Sequence, residues 1–168
     1  MSSNLEFRLA METLTERVRA LIADRNRLPR VVGVRTGGVW VARALMEALG
    51  WDGPVGELDI AFYRDDFSRH GLNPTVRPSS LPFSLDDEDI LLVDDVIMSG
   101  RTLRAAMNEL FDYGRPARIQ LATLVDLGRR ELPIQPDAVG VTLRLAENER
   151  VKLTGPEPLD LELRYIAS

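Results

Sequence analysis

The most informative stretch of the chain runs from Ile90 to Ala105 and reads ILLVDDVIMSGRTLRA. Four apolar residues end in two adjacent acids, and a Ser-Gly-Arg-Thr turn with a helical pattern follows. Short apolar runs bounded by turn residues are typical of buried strands. The stretch therefore predicts a strand, a polar turn and a helix, and an acid pair beside such a turn indicates a site rather than a solvated strand end.

The composition is that of an ordinary globular protein. The chain has 168 residues, 45% of them hydrophobic, which favours one domain over residues 1–168. It contains no cysteine, which excludes disulfides and thiolate metal sites. The N-terminus is not a secretory signal and no apolar run approaches the roughly 20 residues of a membrane span, so we expect a cytoplasmic protein without membrane contact. A net charge of −5 argues against a surface that binds nucleic acid throughout.

Apolar patterns alternate between strand and helix along the chain. Strands are predicted at residues 31–34, 58–62, 90–93 and 119–125, and helices at residues 14–26, 39–49 and 103–110. Strands that alternate with helices predict an α/β fold with a mostly parallel sheet flanked by helices. Shorter apolar runs after residue 138 predict edge strands or a small cap.

Polar segments follow the predicted strands. In parallel sheets, ligands bind beyond the carboxyl ends of the strands. Four segments would meet there, namely Arg35–Gly38, the segment from Tyr63, Asp94–Thr102 and Asp126–Arg130. The irregular residues 64–89 predict a lid, a binding loop or disorder. This convergence predicts a site for a polar ligand.

The central turn has the chemistry of a phosphate site. Gly100 lets the backbone approach an anion closely, the first-turn amides point at it, and Ser99 and Thr102 add hydroxyls. Asp94 and Asp95 would accept hydrogen bonds from neutral hydroxyls, so a sugar phosphate such as ribose 5-phosphate satisfies both parts. The spacing is neither a P-loop nor a dinucleotide fingerprint. Thr102 as a plain helix N-cap is compatible with either interpretation.

The stretch ILLVDDVIMSGRT resembles the phosphoribosyl pyrophosphate (PRPP) signature of the type I phosphoribosyltransferases. DIAFYRDDFS (residues 59–68), GRPARIQLATLVDLGRRELPI (114–134) and ENERV (147–151) are similar to members that combine uracil phosphoribosyltransferase activity with regulation of pyrimidine genes. The resemblance implies the type I fold with a mobile lid at about residues 64–89 and a small hood at about residues 126–168.

The resemblance also implies a reaction and its site. Uracil and PRPP would give UMP and pyrophosphate, with Mg²⁺ arriving on PRPP and no certain protein ligand for it. The implied catalytic residues are Asp94 and Asp95, which hold the ribose hydroxyls, and Arg64 of the lid. The implied 5-phosphate residues are Met98, Ser99, Gly100, Arg101 and Thr102. The pyrophosphate residues are Arg35, Thr36, Gly37 and Gly38, often with a non-proline cis peptide, and the uracil residues of the hood are Val125, Asp126, Arg129 and Arg130.

Implied partners are a second copy of the chain, in a homo-oligomer, and the leader RNA of a pyrimidine operon. Residues 14–30 carry five arginines against two acids, and Arg115, Arg118, Arg129 and Arg130 form a second basic set. An exposed helix face stabilised by charge pairs explains the first set equally well. Two alternatives stay open at this point: a phosphoribosyltransferase for another base, such as a purine or orotate, and a non-catalytic sensor of UMP or PRPP.

One position departs from the family pattern. Members carry Thr-Arg-Gly in the pyrophosphate loop, whereas this chain has Thr36-Gly37-Gly38. The missing arginine removes a charge-assisted contact worth about 1.5–3 kcal/mol. Either another arginine substitutes, or the protein is a weak catalyst. The candidates for that substitution are Arg35, Arg64, Arg69 and Arg77.

If Arg64 substitutes for the missing arginine, Arg64→Ala should raise the Michaelis constant for PRPP sharply, because a cation on the pyrophosphate is lost. Steady-state kinetics with varied PRPP measures this constant. An unchanged value would remove Arg64 from the scheme.

Overall fold

The computed structural model describes residues 3–60 and 79–166. The helices are α1 (Ser3–Leu21), α2 (Gly37–Leu49) and α3 (Arg101–Tyr113). The strands are β1 (Arg30–Val34), β2 (Gly56–Leu58), β3 (Asp89–Ile97), β4 (Arg118–Asp126), β5 (Ala138–Thr142), β6 (Glu149–Thr154) and β7 (Asp160–Tyr165).

Five strands form a parallel sheet in the order β2-β1-β3-β4-β5. The predicted α/β class is confirmed. The runs after residue 138 form both an edge strand, β5, and a separate antiparallel hairpin of β6 and β7. Several predicted boundaries differ: α1 covers Ser3–Leu21 instead of residues 14–26, β3 continues through the acid pair to Ile97 instead of ending at residue 93, and β2 covers Gly56–Leu58 instead of residues 58–62. Of the latter range, residues 61 and 62 lie outside the described part.

The core lies on both faces of the sheet. Leu91 and Val93 of β3 join a cluster with α1 and α2, whereas Ile90 and Leu92 join a second cluster with α3. All four side chains are at most 1% exposed. A strand covered on both faces must be apolar at every position, which explains the continuous run that precedes the acid pair.

Part of the predicted lid packs on the sheet edge. Residues 64–78 lie outside the described residues, but Ser80 exchanges two backbone hydrogen bonds of 2.8 Å with Glu57. Leu85 is 2% exposed and belongs to the α3 cluster. The chain is therefore anchored to the sheet from Ser80 to the start of β3. Among the described helices, none is long and apolar enough to cross a membrane.

Candidate active site

Three of the four predicted polar segments meet at the carboxyl edge of the sheet. They follow β1, β3 and β4, which are neighbours in the sheet, and the Leu127 amide donates to Ile97 O at 2.9 Å. The fourth segment, from Tyr63, lies outside the described residues. Parallel pairing of the three strands therefore brings together the segments that the sequence places far apart.

The acid pair lies near the carboxyl end of β3, which continues to Ile97, and is held in a fixed arrangement. The amide of Asp95 donates to Oδ1 of Asp94 at 2.8 Å, and the amide of Val96 donates to Oδ1 of Asp95 at 2.8 Å. Asp94 is 5% exposed and Asp95 is half-buried. Since an ionised carboxylate has room for several hydrogen bonds, Asp95 keeps acceptor capacity beyond its amide contact.

The turn after the acids forms the start of α3. Gly100 has φ 94°, in the left-handed region that favours glycine, and Ser99 Oγ accepts a hydrogen bond of 3.1 Å from the Arg101 amide. The first amides of a helix have no acceptor within the helix. Together with the helix dipole, they make this end of α3 suited to an anion.

A cavity of about 290 Å³ joins Asp94 to the turn. Its polar lining includes Asp94, Ser99 and Thr102. Apolar side chains from three elements complete it, namely Val96, Leu127 and Val151. The cavity therefore has a polar part suited to a sugar phosphate and an apolar part suited to a flat ring.

The hood hairpin contributes a cation that the sequence argument missed. Arg150 of β6 lines the cavity, and its Nη1 donates to the carbonyl oxygens of Glu147 at 2.8 Å and Glu149 at 2.7 Å. No carboxylate of residues 3–60 or 79–166 lies within ion-pair distance of it. Arg150 and Val151 belong to the ENERV stretch, so the resemblance gave the only signal for them.

A larger cavity, about 480 Å³, lies at the amino ends of the strands, where β3 and β4 begin. Arg25 and Asp89, which line it, form an ion pair of 3.3 Å with each other. The smaller cavity lies at the carboxyl ends of the strands, beside the N-terminus of α3. It is therefore the better candidate for the active site.

The loop after β1 is held by acids of the sheet edge. The Arg35–Thr36 peptide is cis, as the resemblance implied. Arg35 Nε donates to Oε1 of Glu57 at 3.1 Å, and Arg35 Nη1 lies 3.7 Å from Oδ2 of Asp59. Arg43 of α2 donates to the other oxygen of Glu57 at 3.0 Å. The charge of Arg35 is thus balanced by two carboxylates, and its contact with pyrophosphate stays a prediction.

An arginine clamp joins the hood to the turn. Arg130 donates to Oδ1 of Asp126 at 2.9 Å and to Oδ2 at 2.7 Å, and it also donates to Met98 O at 3.0 Å and Ile134 O at 2.7 Å. Burial alone would raise the pKa of Asp126, but the hydrogen bonds from Arg130 and the Gly128 amide, with the charge of Arg130, hold the pKa below its ordinary value. The clamp fixes the end of β4 against the phosphate turn.

The other predicted residues lie around this frame. Val125 is fully buried in the core, Arg129 donates to the carbonyls of Leu145 and Ala146, and Met98 is 45% exposed. Arg101 forms an exposed ion pair of 2.9 Å with Glu131. Arg64 lies outside the described residues. The roles given to all these residues in binding stay predictions.

The acid pair is compatible with Mg²⁺, although the described residues contain no group of three metal-ligating side chains. Mg²⁺ prefers oxygen ligands, keeps several waters and is often held by one or two carboxylates together with substrate phosphates. The two carboxylates near the carboxyl end of β3 are such donors.

Comparison with known proteins places the chain in a family. The model of the phosphoribosyl transferase domain matches residues 9–156. The chain belongs to the phosphoribosyltransferase family. A curated relative, the Bifunctional protein PyrR of Pseudomonas fluorescens, is 56% identical over 167 residues, which cover 99% of this chain and 92% of the relative. That of Pseudomonas putida is 56% identical over 168 residues, which cover 100% and 91%.

Solved phosphoribosyltransferases share the fold. The hypoxanthine-guanine phosphoribosyltransferase of Bacillus anthracis superposes with a TM-score of 0.66 at 19% identity, over 82% of this chain and 80% of that one. The resemblance to a type I phosphoribosyltransferase, made from the sequence, is therefore confirmed for both family and fold.

Asp126→Asn should lower the free energy of unfolding by about 3 kcal/mol at pH 7, because it leaves a largely buried Arg130 without its anion. The folded pKa of Asp126 lies below its unfolded value of about 3.9, so its stabilisation is complete above that pH. It is lost as the pH falls through the folded pKa. Urea unfolding at several pH values measures this effect. The difference in free energy of unfolding between wild type and variant should shrink towards zero at acid pH.

Glu131→Gln is the matched control, because the Arg101–Glu131 pair is 66% and 59% exposed. Its loss should cost no more than about 0.5 kcal/mol. Equal effects of the two substitutions would contradict the clamp.

Proposed function

We propose that this protein transfers the phosphoribosyl group of PRPP to uracil, giving UMP and pyrophosphate, and that it regulates pyrimidine genes in response to UMP or PRPP. The observation that carries the proposal is the cavity that joins Asp94, near the end of β3, to the Ser99–Thr102 turn at the start of α3. The family assignment supports phosphoribosyl transfer.

The two polar parts of the cavity divide the sugar phosphate between them. A terminal phosphate would accept hydrogen bonds from the first-turn amides of α3 and from the hydroxyls of Ser99 and Thr102. The vicinal hydroxyls of ribose would donate to Asp94 and Asp95. Carboxylates repel phosphate and accept from hydroxyls, so the ligand can bind in only one direction. Both ends of ribose 5-phosphate are therefore specified.

The base would lie against the apolar lining. Val96, Leu127 and Val151 offer a surface for a flat ring. The choice of uracil is supported by the PyrR relatives, which are 56% identical over almost the whole chain. The solved hypoxanthine-guanine phosphoribosyltransferase is only 19% identical, so it supports the fold and leaves the base open.

The reaction is a displacement at the anomeric carbon of ribose. The bond from this carbon to pyrophosphate breaks, pyrophosphate leaves with the electron pair, and N1 of uracil forms the new bond while its proton passes to solvent. No covalent intermediate with the protein is needed. Mg²⁺, held by the substrate phosphates with the oxygens of Asp94 or Asp95, would neutralise the charge of the leaving group. The residues of this chain bind and orient the two reactants.

The activity is tested by UMP formation from uracil and PRPP with purified protein and Mg²⁺. Asp95→Asn should raise the Michaelis constant for PRPP by about tenfold or more, because a hydrogen bond to a charged group contributes about 1.5–3 kcal/mol. Asp112→Asn, on the exposed last turn of α3, is the control and should behave as wild type.

A panel of uracil, orotate and hypoxanthine distinguishes the alternatives. Turnover with another base but not with uracil would contradict the substrate. If calorimetry shows that UMP or PRPP binds but no pyrophosphate is released, the protein is a non-catalytic sensor and not an enzyme.

Regulation through RNA needs a basic surface, and much of the first basic set is neutralised. Arg19 pairs with Glu16, Arg25 with Asp89 and Arg27 with Glu88. These pairs favour the alternative explanation of the first basic set, in which its arginines stabilise the protein surface through charge pairs. In the second set, Arg115 and Arg118 are exposed and have no ion pair with any residue of the described ranges.

A filter-binding titration with the organism's own pyrimidine leader RNA tests the RNA partner. If the protein is an RNA regulator, the leader should bind more tightly than a scrambled RNA, and UMP should strengthen it. Arg118→Ala should then reduce the salt dependence of log K by about 1. Binding of the leader that is no tighter than that of scrambled RNA would rule the RNA partner out and leave the enzyme unaffected.

A further inference from the structure

The glycine that departs from the family pattern lies against the second acid of the pair. A Cβ placed on Gly37 would be 2.7 Å from Cγ of Asp95 and nearer still to its Oδ2. Two non-bonded carbon atoms cannot lie this close together. Any side chain at position 37 therefore has to displace either the loop or the Asp95 carboxylate. The pyrophosphate loop and the acid pair therefore share one contact.

The backbone does not explain the glycine at this position. Gly37 is the first residue of α2, and its φ is not in the left-handed region, unlike that of Gly50 or Gly100. Any residue could adopt this conformation. The restriction comes from the neighbouring carboxylate alone.

Gly38 is restricted in a different way. Its Cβ would lie 2.6 Å from Val93 O and 3.0 Å from Cα of Asp94, which are backbone atoms of β3. Main-chain atoms within a central strand cannot yield. Gly38 therefore fixes the distance between the loop and β3, whereas Gly37 meets only the end of a side chain.

The loop is also held from its other side. The Arg35 amide donates to Leu58 O at 2.9 Å, and the Arg35 side chain is bound by Glu57. A loop anchored on both sides cannot move away from a new side chain at position 37. The Asp95 carboxylate would move instead and lose its 2.8 Å hydrogen bond from the Val96 amide.

We propose that Gly37 is a positioning residue, whose missing side chain leaves the space in which the Asp95 carboxylate is held for the ribose hydroxyls. The inference rests on the proposed function, since it assigns Asp95 to PRPP. Glycine in place of the family's arginine at position 37 then has two consequences. It removes a cation for pyrophosphate, and it sets the orientation of the Asp95 carboxylate in the neighbouring subsite. Gly37→Arg, which restores the family residue, should weaken PRPP binding rather than strengthen it.

The test is a double-mutant cycle of wild type, Gly37→Ala, Asp95→Ala and the double variant, measured in UMP formation. Gly37→Ala should raise the Michaelis constant for PRPP by about tenfold to a hundredfold, since small misplacements of a binding group have effects of this size. It should lower kcat much less. In the Asp95→Ala background, where the carboxylate is absent, Gly37→Ala should have no further effect.

Gly50→Ala is the control for a destabilised α2 with an undisturbed acid pair, because a Cβ at Gly50 meets nothing within 4 Å but its φ of 71° makes alanine strained there. Its kinetic constants should equal those of wild type. An equal effect of Gly37→Ala with and without the Asp95 carboxylate would overturn the proposal, as would no effect in either background.

Crystal structures of the ligand-free wild type and Gly37→Ala proteins give a readout that does not depend on turnover. The proposal expects the hydrogen bond between the Val96 amide and Asp95 to be lost in the variant while the loop stays in place. A displaced loop beside an unchanged Asp95 would overturn it. A wild type without activity would contradict the proposed function, and the crystal comparison would still decide the role of Gly37.

Discussion

Burial of β3 on both faces is the constraint on which the site depends. The strand pairs with β1 on one side and β4 on the other, and its residues 90–93 are almost inaccessible. Its position is therefore fixed in all three directions, and so is the point at which it ends. The two acids lie near that end, and Asp95 comes two residues before Ile97. A rigid strand is a better support for such groups than a loop, since small errors in position are costly in a binding site.

The segments around β3 are tied to it by polar contacts rather than by apolar packing. Arg130 joins the end of β4 to the carbonyl of Met98, and Arg35 joins the first loop to Glu57. Both arginines lie in segments rich in glycine and polar residues, which cannot contribute much to a core. Hydrogen bonds from a planar guanidinium are directional and charge-assisted, so a single side chain can fix several loop atoms at once. Arg130 and Arg35 thus serve to hold the backbone of the candidate site.

The sequence predicted the parts of the fold and site that follow from periodicity and local turn chemistry. The buried strand before Asp94, the helix after Gly100 and the parallel sheet all come from patterns within a few residues of each other. Contacts between distant segments could not be predicted in this way: Arg130 with Met98, Arg35 with Glu57, and Arg150 at the cavity depend on the tertiary arrangement. The burial of Leu85 could not be predicted for the same reason, because this residue looks like a loop residue until the α3 cluster covers it.

Gly37 illustrates why a comparison of motifs needs the neighbouring strand. From the sequence, glycine in place of arginine is a loss of charge, and the natural expectation is compensation by another cation. In the structure the same position borders Asp95, and the space available there depends on Gly38, which holds the loop against the backbone of β3. If the proposed function holds, a residue at position 37 acts on two subsites, on pyrophosphate through its own atoms and on ribose through the acid it displaces. Restoring the arginine alone would add a favourable contact with pyrophosphate and would displace the Asp95 carboxylate from the ribose. These two effects on PRPP binding have opposite signs, so the motif cannot be exchanged one residue at a time.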